Sequence, residues 1–133
     1  MTEYLELDDL LAAAAAAIGA PPEIRDIGIL LSAAERPRST AFGEEAYRGL
    51  DAKAAALLHS IVAGHPLVDG NRRLGWVAVR LFYRLNDADI HPDPDEAFEL
   101  IVDVAGATIR DVRQIAARLR PWRDRRFDRA QGQ

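Results

Sequence analysis

The residues most able to do chemistry in this chain lie together between His65 and Arg73. Histidine is the side chain that most often acts as a general base near neutral pH, so His65 is a candidate base for a hydroxyl group. Asp69 follows four residues later, and a carboxylate beside phosphate oxygens is a typical ligand of Mg²⁺. Arg72 and Arg73 add two positive charges that can neutralise phosphate. These residue types and their spacing indicate a site that handles the phosphates of a nucleotide.

This stretch is predicted to be a loop that runs into a helix N-terminus. A helix of about four turns is predicted from Asn71, because apolar residues recur at spacings of three and four; they are Leu74, Val77, Ala78, Leu81, Phe82 and Leu85. The first turn of a helix binds anions through free N–H groups and the positive end of its dipole. Gly70 would let a phosphate approach the backbone closely. Asn71 is predicted to cap the helix and to donate to a phosphate oxygen.

A purely structural interpretation stays open on the residues alone, because a helix entry rich in Asp, Asn, Gly and Arg can be simple capping. The complete pattern resembles the signature of the Fic/Doc family, and specifically its death-on-curing (Doc) branch. The family pattern is His-x-Phe-x-Asp/Glu-Gly/Ala-Asn-Gly/Lys-Arg, and the matching residues are His65, Asp69, Gly70, Asn71 and Arg73. Leu67 stands where the family usually has Phe, a core anchor. Further similar segments are Arg36-Pro37, Phe42-Gly43, Glu45-Ala46-Tyr47 and residues 53–60.

The resemblance implies a toxin of a toxin-antitoxin system that uses ATP and Mg²⁺. Its reaction would transfer the γ-phosphate to a Thr or Ser hydroxyl of a protein, elongation factor Tu, and so inhibit translation. His65 would be the catalytic base and Asp69 the metal ligand. The phosphate-binding residues would be Gly70, Asn71, Arg72 and Arg73.

Position 72 distinguishes two reactions within this family. Members that transfer AMP have Gly there and a second Arg three residues after the motif, whereas the Doc branch has Lys at the first position. This chain has Arg72 and Trp76. The positive charge of Arg72 favours phosphate transfer, although guanidinium and ammonium differ in geometry. AMP transfer to a protein hydroxyl and an inactive binding module are the alternatives.

Residues 36–50 lack a helical period and contain Pro37, Gly43 and Gly49, so they are predicted to be a loop with at most a short hairpin. The resemblance implies that this loop is a flap that positions the target, with Arg36, Arg38 and Thr40 as its contact residues. It also implies a cognate, Phd-like antitoxin whose C-terminal helix binds in an apolar groove.

The remaining sequence predicts an all-α fold of about six helices, with the catalytic loop between two central ones. The predicted helices cover residues 3–18, 23–35, 52–63, 71–86, 94–105 and 108–119, with Asp51 as an N-cap and Gly64 after a C-terminus. His59 is predicted to be a core histidine with a backbone partner. The tail from Pro121 is predicted to be a solvated, fraying end rather than a partner-binding patch.

Composition fits one domain over residues 1–133. The net charge of −4 argues against general nucleic-acid binding. There are no cysteines, and the apolar run at 10–18 is too short for a bilayer span. We therefore expect a cytoplasmic protein without a membrane segment.

Overall fold

The computed structural model describes residues 1–124, which form six α-helices and one short β-hairpin. The helices are α1 (Leu7–Ile18), α2 (Ile27–Glu35), α3 (Leu50–Gly64), α4 (Asn71–Leu85), α5 (Pro94–Ala105) and α6 (Val112–Leu119). The antiparallel strands are β1 (Thr40–Ala41) and β2 (Glu44–Glu45), and short 3₁₀ turns cover Arg36–Arg38 and Arg120–Trp122. The predicted all-α class is therefore confirmed. Within residues 1–124 no helix has both the length and the apolar character needed to cross a membrane.

α3 and α4 lie at the centre of the fold, with α1 packed on α4 and with α2 and α6 packed on α3. α3 is buried on most sides, as its apolar sequence predicted; its buried apolar residues are Ala54, Ala55, Ala56, Leu57, Leu58, Ile61 and Val62. Gly75 lets α4 approach α3 closely. A Cβ at Gly75 would lie 2.6 Å from Cγ2 of Val62 and 3.1 Å from Cδ1 of Leu58. The loop between these two helices is consequently held on a rigid base.

Three helices begin later than predicted. α1 begins at Leu7 because Glu6 and Asp9 form a reciprocal capping box, in which Asp9 accepts from the Glu6 N–H at 2.8 Å. α6 begins at Val112, after Asp111 as its N-cap. The N–H groups of Thr108 and Ile109 are instead bonded to the Asp103 carbonyl. The capping residues therefore set where these two helices begin, although the apolar patterns extend further toward the N-terminus.

The third late start is that of α2, and it matters for the catalytic loop. Asp26 caps this helix by accepting from the Ile29 N–H at 3.2 Å. The prediction that the helix includes residues 23–26 is therefore wrong, and these residues pair with the loop after α3. The N–H groups of Arg25 and Asp26 both donate to the Pro66 carbonyl, at 2.8 and 3.0 Å. Long-range pairing here overrode the local helical pattern.

Asp51 is not the N-cap of α3, because the helix already begins after Gly49, whose φ is 86°. Asp51 is buried in the first turn and accepts a hydrogen bond of 2.7 Å from the Tyr83 hydroxyl. Arg120 and Arg123 each place a nitrogen 3.5 Å from its second oxygen. Burial and the neighbouring Asp51 charge raise the pKa of Tyr83. This acid therefore joins α3, α4 and the chain after α6.

The first residues of the tail, which was predicted to fray from Pro121, are bonded to the rest of the fold. Arg123 forms an antiparallel bridge with Ile90, and the Asp124 N–H donates to the Asp89 carbonyl at 2.7 Å. Trp122 donates from its indole nitrogen to Glu96 at 3.0 Å. The rest of the predicted tail, residues 125–133, lies outside the described residues.

Candidate active site

His65 is the residue at which the chain leaves α3, and its backbone is left-handed, with φ 52° and ψ 58°. The sequence predicted this role for Gly64, which is instead the last residue of the helix. A Cβ at Gly64 would lie 2.8 Å from Cγ2 of Ile29, so this glycine serves the packing of α2 on α3. Left-handed non-glycine residues cost roughly 1–2 kcal/mol and concentrate at functional sites. The exposed His65 side chain thus stands on a strained, well-supported backbone.

Arg25 supplies much of that support, and the sequence analysis missed it. Its Nε donates to the His65 carbonyl at 2.6 Å, and its Nη2 donates to the Gly64 carbonyl at 2.9 Å. A guanidinium group is well suited to the free carbonyls at a helix C-terminus, since it is charged and forked. Only the pairing of residues 23–26 with the loop places Arg25 there. No pattern in the sequence indicates this contact of Arg25 with the end of α3.

Asn71 is not the helix cap that was predicted. Gly70 is the N-cap of α4, with φ 91° and no capping side chain. The Asn71 amide instead faces back, accepting from the Leu67 N–H and donating to the Leu67 carbonyl, both at 2.9 Å. Leu67 itself is only 1% exposed, so it fills the core position at which the family has Phe. The burial of Leu67 and its two hydrogen bonds with Asn71 therefore tie the loop to the core and to the start of α4.

Gly70 is required for two reasons. Its positive φ strains any residue with a Cβ, and a Cβ would also lie 2.9 Å from two side-chain carbons of Ile18. Ile18 is the last residue of α1. The end of α1 therefore closes one side of the catalytic loop.

The structure brings the six predicted motif residues together around one cavity of about 440 Å³. Its lining consists of His65, Asp69, Gly70, Asn71, Arg72 and Arg73, with Ile18 and Val68 completing the wall. A candidate base, a carboxylate, a helix N-terminus and two cations thus share one space. Such a set can bind phosphate and accept a proton beside it.

Arg72 and Arg73 differ from the other arginines of residues 1–124. Each of the others donates a side-chain hydrogen bond or forms an ion pair with this protein's own groups. Arg72 and Arg73 do neither in this part of the chain, and both are exposed. With the single carboxylate of Asp69 in the same lining, the two arginines leave the cavity with a net positive charge, which favours an anionic ligand.

Asp69 is the acid of the cavity. Within residues 1–124, no three His, Cys, Asp or Glu side chains form a cluster that could hold a metal ion. A single carboxylate nevertheless suits Mg²⁺, which keeps waters and takes its other ligands from nucleotide phosphates. Asp69 can thus contribute to a magnesium site only together with bound phosphates.

An apolar groove between α4 and α5 adjoins the cavity. Its volume is about 610 Å³, and it is lined by Trp76, Pro94, Ala97, Phe98 and Ile101 as well as by Arg72 and Arg73. The two arginines therefore stand between a polar cavity and an apolar groove. Phe98 is 67% exposed, which leaves its ring available for contact.

Arg36 and Arg38, which were predicted to contact a target, are engaged by this protein's own groups. Arg36 donates to the Tyr47 hydroxyl at 2.8 Å and to Oγ of Ser60 at 3.0 Å. Arg38 pairs with Glu6 at 2.7 Å and lies over the ring of Tyr4. Both arginines therefore hold the chain just before the hairpin, and their contact with a target remains a prediction.

Thr40 lies in exposed strand β1, paired with Glu45, and its contact with a target remains a prediction. The predicted short hairpin is present, and it rises from the base that Arg36 and Arg38 hold.

His59 is half-buried, and its partner is a side chain rather than the predicted backbone group. Its Nδ1 lies 2.8 Å from Nη1 of Arg36, a geometry in which the neutral ring accepts the hydrogen bond. Burial, and then the charge of Arg36, lower the pKa of His59. A second cavity, of about 600 Å³, extends from Arg36 and His59 to Gly64, the residue before His65. This cavity thus lies between α2 and α3 and ends at the last residue of α3.

Comparison with known proteins agrees with this architecture. Residues 3–83 match the family model described as the Fic/DOC family. The chain therefore belongs to the Fic/Doc family, as its motif predicted. It is also 42% identical over 121 residues to the curated protein Toxin Doc of Mycolicibacterium smegmatis, a match that covers 90% of this chain and 92% of that protein.

Proposed function

We propose that this protein is a Doc-type toxin that transfers the γ-phosphate of ATP to a Thr or Ser hydroxyl of a protein, and thereby inhibits translation. The family resemblance makes elongation factor Tu the candidate acceptor. The observation that carries the proposal is the position of Arg72 and Arg73, two arginines without a partner in residues 1–124, in one cavity with His65 and Asp69. The similarity to a protein named as a toxin supports it.

Each group in the cavity has a role in this reaction. His65 removes the proton of the acceptor hydroxyl as the hydroxyl oxygen forms a bond to the γ-phosphorus. The bond from this phosphorus to the β,γ-bridging oxygen breaks, and ADP leaves. Arg72, Arg73 and the N–H groups at the start of α4 neutralise the charge on the transferring group. Asp69 would hold Mg²⁺, which would offset the negative charge of the nucleotide phosphates. The protein's contribution is thus positioning and charge stabilisation, on which phosphoryl transfer mainly depends.

The groove between α4 and α5 fits the rest of the nucleotide. A purine ring is flat and mostly apolar, and the rings of Trp76 and Phe98 offer it stacking surface while the phosphates reach Arg72 and Arg73. Trp76 stands where AMP-transferring members have their second Arg, and it lines this apolar groove instead of binding phosphate. The groove supports nucleotide binding, and the absence of the second Arg favours γ-phosphate transfer over AMP transfer.

The proposed partner that controls the toxin is a Phd-like antitoxin in the cytoplasm. An exposed apolar strip beside the catalytic loop offers its C-terminal helix a docking surface. The strip consists of Ile24, Ile27, Leu31 and Val68, which are between 40% and 60% exposed. Ile27 and Leu31 lie four residues apart on α2, so they point to the same side of that helix.

The test is incubation with purified elongation factor Tu and Mg²⁺, using ATP labelled at either the α- or the γ-phosphate. We expect the γ-label on a threonine or serine of the acceptor, no α-label, and no transfer by His65→Ala. Attachment of the α-label would instead establish AMP transfer. Absence of both labels from the acceptor would refute the proposed acceptor.

A further inference from the structure

A cavity of about 640 Å³ lies at the opposite end of α3 from the catalytic loop. Its walls come mainly from the chain after β2, the first turn of α3 and the start of α6. It shares no lining residue with the cavity at His65. Ala52 lines it from the first turn of α3, and a helical rise of about 1.5 Å per residue separates Ala52 from His65 by roughly 20 Å. The two cavities are therefore separate sites.

The lining of this space, which we call the arginine cavity, is rich in positive charge. It contains two carboxylates, Glu45 and Asp111. Its five arginines are Arg36, Arg48, Arg110, Arg113 and Arg120. The whole chain has a net charge of −4, so the charge of this lining is opposite in sign to that of the protein. A concave surface that concentrates one sign of charge attracts a ligand of the other sign.

Three of the five arginines have carboxylate partners in this protein, in the pairs Arg48–Glu44, Arg113–Asp111 and Arg120–Asp51. The side chains of Arg48 and Arg113 are 71% and 90% exposed, and exposed ion pairs contribute little free energy. Glu45 is also paired, with the buried Lys53 at 3.3 Å. The carboxylates around the arginine cavity are thus already neutralised by these partners, and the other two arginines lack such a partner.

Arg36 and Arg110 are these two arginines, and neither forms an ion pair with a carboxylate of residues 1–124. Arg36 is half-buried. It is bonded only to neutral groups, which are the Tyr47 hydroxyl at 2.8 Å, Nδ1 of His59 at 2.8 Å, Oγ of Ser60 at 3.0 Å and the Ala56 carbonyl at 3.5 Å. Arg110 is exposed and donates to the Ala107 carbonyl at 3.1 Å. Because a guanidinium group stays protonated, both residues bring a full positive charge to the cavity.

Two forked cations favour a ligand with several oxygens and at least two negative charges. A phosphate monoester or a diphosphate has both properties near neutral pH, whereas a carboxylate carries a single charge. The N–H groups at the start of α6 contribute less, since Asp111 already caps that helix. The cavity is concave, and its volume lies in the range of about 300–1,000 Å³ that small-molecule sites have. A small phosphate compound therefore suits it better than a flat lipid surface.

We propose that the arginine cavity is a second anion site, which binds a small phosphate compound of two or more negative charges through Arg36 and Arg110. A ligand there would connect the chain after β2 with the start of α6, because both segments line the cavity. It would also stabilise the folded protein, since the site does not exist in the unfolded chain. This binding does not depend on which phosphate of ATP is transferred, or on whether transfer occurs.

Calorimetric titration with inorganic pyrophosphate tests this site, at constant ionic strength and without Mg²⁺. The starting protein is Arg72→Ala/Arg73→Ala, which removes the cations of the cavity at His65; both side chains are exposed, so the variant should fold. We expect this protein to bind pyrophosphate. Adding Arg110→Gln should weaken binding roughly tenfold, the size of a lost hydrogen bond to a charged group, and Arg110→Glu should weaken it further.

Arg84→Gln in the same starting protein is the matched control. It also removes one surface charge, but Arg84 lines neither cavity, so the affinity for pyrophosphate should not change. The melting temperature gives a second measurement. Pyrophosphate should raise the melting temperature of Arg72→Ala/Arg73→Ala more than that of the protein that also carries Arg110→Gln. Each protein serves as its own reference without ligand, so a change in basal stability does not affect the comparison.

Four outcomes would overturn the proposed site or its ligand class. The first is absence of pyrophosphate binding to the Arg72→Ala/Arg73→Ala protein, and the second is an equal affinity for the Arg110→Gln and Arg84→Gln variants. Tighter binding of citrate, whose negative charges are all carboxylates, would overturn the assignment to phosphate. Arg110-dependent sedimentation with vesicles of phosphatidylcholine and phosphatidylglycerol would assign the arginines to a lipid surface instead.

Discussion

The guanidinium group of Arg25 holds the main-chain carbonyl of His65, with 2.6 Å between Nε and that oxygen. The same side chain reaches the Gly64 carbonyl at 2.9 Å. The strained residue that presents the candidate base is thus fixed from a segment forty positions earlier in the chain. This contact explains how a left-handed histidine is maintained after α3, because the freed carbonyls at the end of the helix have a charged partner.

Arg25→Ala should lower transfer more than it lowers stability. We expect kcat to fall by about tenfold to a hundredfold, because small displacements of a catalytic group are costly. The free energy of unfolding should fall by only about 1–2 kcal/mol. Steady-state kinetics and urea denaturation would measure both. Arg113→Ala is the matched control, since Arg113 is 90% exposed and distant from the motif in sequence, and it should change neither quantity.

His65→Ala should abolish transfer while leaving the fold intact. The expected loss is that of a general base, about 10²–10⁴ in rate. His65 is exposed, so its removal opens no cavity in the core. His91→Ala controls for the loss of an imidazole elsewhere on the surface. Near-normal transfer by a well-folded His65→Ala protein would exclude His65 as the base.

Asp69→Asn should weaken the binding of the Mg²⁺ that transfer requires. An amide keeps the shape of the carboxylate but loses the charge that holds the cation, so the Mg²⁺ concentration for half-maximal activity should rise roughly tenfold or more. Magnesium titration of the transfer rate would measure it, with Asp87→Asn as the control for a lost surface charge. An unchanged titration curve for Asp69→Asn would remove Asp69 from the metal site.

The contact between His59 and Arg36 predicts a pH dependence of stability. Burial and then the charge of Arg36 lower the pKa of His59 in the folded protein. Above about pH 6.5, the ordinary histidine value, the ring is neutral in both states and its contribution is fully present. Below that pH the unfolded chain takes up a proton that the folded protein resists, so the free energy of unfolding should fall as the pH drops toward 5.

His59→Gln keeps an acceptor for Arg36 and removes the titration. Its free energy of unfolding should therefore change less between pH 7 and 5 than that of the wild type, as measured by urea denaturation. Asp89 does not interfere in this window. Burial raises the pKa of Asp89, but hydrogen bonds from Arg80, the Ile90 N–H and Arg84 outweigh burial and lower it to about 2. An equal change in the free energy of unfolding between pH 7 and 5 for both proteins would disprove the role of His59.

Gly75→Ala should destabilise the protein although alanine is the better helix former. The added methyl would lie 2.6 Å from Cγ2 of Val62, so α4 must move away from α3. We expect a loss of about 1–3 kcal/mol, the usual cost of overpacking. Urea denaturation of Gly75→Ala, Val62→Ala and the double variant would show it. The prediction fails if the double variant recovers none of the loss.

The sequence by itself determined the family motif of the loop and the positions of the central helices. The types and spacing of His65, Asp69 and Arg73 identified the family, and the apolar periodicity placed α4 from Asn71. The start of α5 at Pro94 was likewise correct, because Asp93 and Pro94 are local signals that act within one turn. Local signals of this kind can be predicted because the interacting residues are neighbours in the chain.

Only the tertiary structure decided how the loop is held. Residues 23–26 follow a helical pattern in sequence, yet their N–H groups bond to Pro66, and this pairing brings Arg25 to His65. Asp51 was predicted to be a helix cap, but it is buried and accepts a hydrogen bond from the Tyr83 hydroxyl. Each of these contacts joins residues at least thirty positions apart. Such contacts depend on how the helices pack, because backbone and charged groups take whichever partners the packed chain brings within hydrogen-bond distance.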